Sequence, residues 1–191
     1  MPKGLPVFVV EGHLEHKFLA ETSNGKIRIL KLSNGKQVSP AALAKQVHAQ
    51  VRAAQGQPPY VIVIADREKR KQSALQLEAD ITSELTKLSF PGRFHVHVPD
   101  MMIENWILAD AGALAKEGLN PNVANGTEGC HGKGKLSEAF RNRNKNYKET
   151  IDGVRLLKSC SAIAIRQKSP SFRRLFRTIS RLAPGCYWLK R

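Results

Sequence analysis

Apolar runs alternate with stretches of helical period through the first hundred residues. Val7-Phe8-Val9-Val10, inside a strand predicted over Leu5–Val10, is apolar without a break, the pattern of a strand buried on both faces. His13–Thr22 follows as a helix with Leu14, Phe18 and Leu19 near one face. Lys26–Leu32 alternates Ile27, Ile29 and Leu32 against Arg28 and Lys31, so it reads as a strand exposed on one side, and Asn34-Gly35 signals a turn. Ser39-Pro40 supplies an N-cap and a first-turn proline for a helix through about Ala54, broken by Gly56 to Pro59. Tyr60–Ala65 is a second buried strand, Arg70–Leu88 a long helix, and Phe94–Val98 a strand ended by Pro99. This alternation predicts an α/β fold with a mostly parallel, doubly wound sheet flanked by helices.

From Met101 the period is helical through Lys116, with Met102, Ile103, Trp106, Ile107 and Leu114 in near-helical spacing. Residues 118–134 form a loop rich in Gly and Asn that holds Pro121, Cys130 and His131. Lys148–Ser159 and Ser169–Leu182 are the last predicted helices, and Ser169-Pro170 repeats the cap seen at Ser39-Pro40. The expected organisation is a sheet-bearing part over residues 1–117, the loop 118–134, and a basic helical extension over 135–191 packed on the same domain.

Charge sharpens that division. Residues 1–132 carry 15 Lys/Arg against 13 Asp/Glu, whereas residues 133–191 carry 16 against 3. A near-neutral first part beside a strongly basic second suits a polyanion held by the second. Apolar content of 41% is ordinary for a soluble protein, and no run approaches the roughly 20 residues of a membrane span. The amino terminus leads straight into an acid-bearing strand, unlike a secretory signal. Cys130, Cys160 and Cys186 are odd in number and scattered, which favours a reduced, cytoplasmic setting.

Carboxylates gather at the expected strand ends. Glu11 follows the first buried run, and Gly12 permits a tight turn. Glu15 then lies about one helical turn on, facing the same way, although an acid at a helix start is also favoured by the macrodipole. Asp66-Arg67-Glu68 follows the second run; an extended segment would send Asp66 and Glu68 to one side and Arg67 to the other. The bland alternative is a helix cap in a solvated turn. Glu104 opens the next helix, six residues before Asp110, and Trp106 between them is a core residue by default. Carboxylates collected at the carboxyl edge of a parallel sheet repel one another unless a cation joins them, which points to a hard divalent metal. His95 and His97 share a side of their strand and are a lesser candidate pair, more often satisfied within a fold. Cys130-His131 lacks further ligands at zinc spacing, and no phosphate-cradling P-loop is present.

At these clusters the chain resembles the Toprim (topoisomerase–primase) superfamily. The match runs through Val-Val-Glu-Gly-His-Leu-Glu over residues 9–15, Asp66-Arg67-Glu68 after its strand, and Ile103 to Asp110. It looks most like a small Toprim-like family related to the overcoming-lysogenization-defect nucleases, in which a Glu-x-Trp-Leu-Leu-Ala-Asp-like helix and a Ser-Phe-Arg-like segment recur; here these are Glu104–Asp110 and Ser171-Phe172-Arg173. The resemblance implies a Rossmann-like sheet and places catalysis on Glu11, Asp66 and Glu68. It implies Mg²⁺ or Mn²⁺ held by Glu11, Glu15, Asp66, Glu68 and Glu104. The chain departs at Glu68, where the family's second acid is Asp. Relatives of this kind are often encoded beside an ABC-type ATPase in phage-defence systems, so an ATPase partner is a further implication.

The expected activity is metal-dependent cleavage of a nucleic-acid phosphodiester, DNA or RNA. Arg67, Arg70, Lys71, Lys158, Arg173, Arg174 and Arg177 are the expected phosphate contacts, binding without reading sequence. Two other readings stand beside it: a degenerate Toprim module that binds nucleic acid or a partner without catalysis, and a structural RNA-associated protein.

Overall fold

The computed structural model describes residues 5–32, 38–54, 58–90, 92–123 and 127–182. The predicted turn at Asn34-Gly35, the helix break at Gly56 and the thiol of Cys186 lie outside them. Four strands form one sheet: β1 (Val7–Val10), β2 (Arg28–Lys31), β3 (Val61–Ile64) and β4 (Phe94–His97). The order is β2-β1-β3-β4 and every pairing is parallel, with Val10 opposite Ile64 and Ile64 opposite His97. β1 and β3 are buried throughout, as their unbroken apolar runs predict, while β2 is an edge strand with a partly exposed pattern.

Helix α1 (His13–Thr22) leads from β1 to β2, α2 (Pro40–Ala53) from β2 to β3, and α3 (Ala74–Lys87) from β3 to β4. The path leaves β1 toward one edge and β3 toward the other. The crevice between the carboxyl ends of β1 and β3 is therefore the topological switch point of the sheet, the place where open α/β sheets bind ligands.

Side-chain alternation sorts the core into two layers. Val7, Val9, Val61, Val63 and Val96 face α2 and α3, meeting Leu43, Val47, Val51, Leu77, Ile81 and Leu85. Phe8, Val10, Ile62 and Ile64 face the other way, onto α1 and the helices of the second half. Those are α4 (Glu104–Ala109), α5 (Ala111–Lys116), α6 (Gly132–Arg141), a π-helical turn at Glu149–Gly153, α7 (Val154–Ser159), α8 (Ala162–Lys168) and α9 (Pro170–Leu182). The carboxy-terminal helices thus complete one face of the sheet.

Several predicted boundaries move, each for a local reason. The helix expected from Arg70 starts at Ala74, because Ser73 caps it by accepting the Gln76 N–H at 3.2 Å. The helix expected over Met101–Lys116 breaks in two at Asp110, whose carboxylate accepts the Ala113 N–H at 3.0 Å and the Ser161 N–H at 2.7 Å. The segment Asp66–Glu68 is not extended: Glu68 has φ of 47° and its N–H donates to the Met101 carbonyl at 2.6 Å, so simple alternation does not apply there. The loop ends earlier than expected, since α6 opens at Gly132. A Cβ at Gly132 would stand 2.9 Å from the Asn105 nitrogen, and only glycine allows α6 to start against the start of α4.

Candidate functional site

The site lies at the switch point. Glu11 continues β1, its N–H bonding the Ile64 carbonyl at 3.2 Å, so the first acid is fixed by the sheet ladder itself. Glu15 is on the first turn of α1 and only 2% exposed. Its carboxylate folds back over Gly12, where a Cβ would collide with it. Asp66 follows β3, and Glu104 opens α4 at 3% exposure. Glu68 is exposed at the rim.

The charges of these acids act on one another. Burial raises the Asp66 carboxyl well above the usual carboxylate range, and Glu15, Glu104, Glu11 and Glu68 each raise it further. Burial pushes Glu15 up to about 8, reinforced by Glu104, Glu149 and Glu11. Glu104 is pushed up to about 7 by burial and by Glu149, with Lys133 and Tyr147 pulling the other way. Glu11 is raised by burial against the opposing pull of Arg70.

Two oxygens in this cluster, Glu11 Oε2 and Asp66 Oδ1, are buried without a hydrogen-bond partner among the described residues. Orphaned buried carboxylate oxygens are costly and call for a ligand or a proton. They are the pair that could take a cation. As the side chains stand, no three His, Cys, Asp or Glu among the described residues are arranged as a metal cage.

The basic candidates divide by what they touch. Arg70 is buried, bonds the Asp66 carbonyl and pairs with Glu11 Oε1 at 3.1 Å. It therefore positions the acids. Arg67 pairs with Asp100 at 2.9 Å. Arg174 grips Glu78 of α3 at 2.8 Å, and Glu78 also accepts the Val98 N–H, tying α9 to the edge of the sheet. Arg173 donates to the Arg166 and Gln167 carbonyls at the end of α8, and Lys158 pairs with Glu21 at 3.1 Å. Lys71 and Arg177 are exposed.

His97 serves the fold: its Nε2 lies 3.0 Å from the Thr178 hydroxyl, and burial, with His95 and Arg174 nearby, depresses it to about 3. Trp106 is core, its indole N–H donating to Ser171 at 3.0 Å.

Sequence reasoning missed three residues of the site. Lys133, near the start of α6, pairs with Glu149 of the π-helical turn, and both act on Glu104; Lys133 also feels Glu68. The Tyr147 hydroxyl is buried beside them, and burial with Glu104, Glu149 and Asp152 raises it strongly. The one available signal was compositional. Residues 133–191 hold only three acids, Glu138, Glu149 and Asp152, and an acid retained in so basic a stretch invites a reason.

No curated protein and no solved structure matches this chain. A family match does cover residues 9–180, from inside β1 to near the end of α9 and so across every acid of the site. The chain belongs to DUF4276, a family described as a domain of unknown function.

Proposed function

We propose that the protein is a Toprim-type, Mg²⁺-dependent phosphodiesterase acting on nucleic acid. One observation carries this reading: four carboxylates, Glu11, Glu15, Glu68 and Glu104, all act on the buried Asp66 carboxyl at the switch point and raise its proton affinity. A fold gains nothing by burying like charges together, so such a cluster favours a bound cation.

The donor set suits a hard ion. Mg²⁺ is generally held by one or two carboxylates, water and substrate phosphate, so the free oxygens of Glu11 and Asp66 would suffice without a preformed cage. Glu68, Glu15 and Glu104 would be further ligands. Bound there, a divalent cation would supply charge for the scissile phosphate and would lower the pKa of water. Arg70 holds Glu11 by one oxygen and leaves the other buried without a hydrogen-bond partner among the described residues. Lys133 brings an ammonium group to the same side, positioned to steady negative charge on the phosphate. The basic second half supplies non-specific attraction that weakens with salt. An ABC-type ATPase partner in a phage-defence setting belongs to the same proposal and is checked by the neighbouring gene.

The test is cleavage of plasmid DNA and of RNA with Mg²⁺ or Mn²⁺, by wild type and by Glu11→Ala. Metal-dependent cleavage lost in the variant is expected. Absence of cleavage by wild type, alone and with its partner ATPase, would overturn the reading in favour of a non-catalytic module. That second reading draws on the Glu11–Arg70 ion pair, which already neutralises one acid of the cluster.

A further inference from the structure

A groove of about 480 Å³ runs between α1 and the π-helical turn with α7. Its walls belong to two elements that also carry acids of the site. Lys17 on its α1 wall comes two residues after the buried Glu15, and Thr150 on its other wall directly follows Glu149, which acts on Glu15 and Glu104.

The walls carry a particular chemistry. Lys17 and Glu21 come from α1, Ile151 and Val154 from the turn and the start of α7, and Arg155 and Lys158 from α7. Three cations thus meet one anion. Arg155 is committed to Glu117 and Asp152, which leaves Lys17 on the α1 wall and Lys158 on the α7 wall. Lys158 holds Glu21 at 3.1 Å, but exposed ion pairs of this kind contribute little, so a phosphate can replace it. Ile151 is 55% exposed, an aliphatic side chain with nothing over it. It sits within the π-helical turn, a feature that is rare and concentrates at functional sites.

We propose that this groove binds one nucleotide of a single nucleic-acid strand, the phosphate between Lys17 and Lys158 and the base against Ile151 and Val154. The inference deepens the nuclease reading and rests on it for the identity of the ligand. A phosphate alone would leave Ile151 unused, and an apolar peptide would leave the lysines unused; a nucleotide uses both. The volume suits one small ligand. The groove and the acid cluster share two elements, since Glu15 lies on α1 with Lys17 and Glu149 in the π-helical turn with Thr150 and Ile151.

The experiment is fluorescence anisotropy of a labelled ten-nucleotide oligothymidine strand and a duplex of the same length, in EDTA so that nothing is cleaved. For Lys17→Gln combined with Lys158→Gln, the slope of log affinity against log salt on the strand should fall by about 0.7, the share of the one phosphate held between them. Ile151→Asp should weaken the strand severalfold and leave the duplex unchanged. Arg177→Gln on α9 should move strand and duplex alike. All of these side chains are exposed, so unchanged melting temperatures are expected and serve as the folding control. A double variant with unaltered slope and affinity overturns the proposal, as does equal loss on strand and duplex. The nuclease reading fails separately: wild type without cleavage whose strand binding still depends on Lys17 and Lys158 upholds the groove and removes the catalysis.

Discussion

The two faces of the sheet solve different problems. Toward α2 and α3 the interior is Val, Leu, Ile, Ala and Phe, with no buried charged side chain among the described residues there. Toward α1 and the second half lie Glu15, Glu104, Asn105, Asp110 and His97, all under a tenth exposed. Aliphatic burial at about 25 cal/mol per Å² stabilises without conditions. Buried carboxylates do so only while protonated or paired with a cation. One face therefore holds the fold, and the other spends stability on the arrangement at the switch point.

Four measurements would break or sharpen that contrast. The largest effect is expected on the aliphatic face. Ile81, fully buried under the sheet, should cost about 2–5 kcal/mol as Ile81→Ala in urea denaturation, with the same loss at pH 5 and pH 8 and with or without Mg²⁺. A loss that varied with metal would mean the faces are not independent.

On the other face, Asp66→Asn should lower cleavage at least a hundredfold, about 2.7 kcal/mol at 1.36 kcal/mol per decade. The same variant should melt higher than wild type at pH 8 without metal, because it removes a carboxyl whose ionised form burial and the neighbouring acids oppose. Lower activity with lower stability would make Asp66 a structural residue.

The pH response is the third. Glu15 and Glu104 titrate at about 8 and about 7 in the folded chain against an ordinary 4.5. The folded state then binds more protons than the unfolded one between these values, so stability falls as pH rises. Their contribution is full below about 4.5 and is lost as pH passes through 7 to 8. In EDTA the melting temperature should decline over that window. Mg²⁺ should restore it at pH 8 and change little at pH 5, where protons compete for the same oxygens. A flat profile would show that the acids do not interact as described.

The smallest effect returns to the aliphatic face. Ser39 caps α2 by accepting the Ala42 N–H at 3.2 Å, and Ser39→Ala should cost about 1 kcal/mol with cleavage untouched. A change in activity would tie α2 to the site.

How much was legible follows from the range over which each signal acts. Val7–Val10 and Val61–Ile64 announced central strands because a strand buried on both faces must be apolar at every position. Ser39-Pro40 announced a helix start because a cap is satisfied within three residues. Arg70 was expected to meet phosphate, yet it pairs with Glu11, fifty-nine residues earlier in the chain. Nothing local marks such a partner. The same holds for Lys133 and Glu149, set sixteen residues apart and brought to Glu104 by the packing of α6 against α4.

The strands, the parallel sheet and the acids at their carboxyl ends were thus determined by sequence alone, because periodicity and capping are short-range. The tertiary structure alone decided which charges meet, which arginines are already engaged, and that a turn from the basic half closes over the acids of the first. Those outcomes depend on helix packing, and the strength of a buried charge depends on everything within several ångströms of it, whatever its distance along the chain.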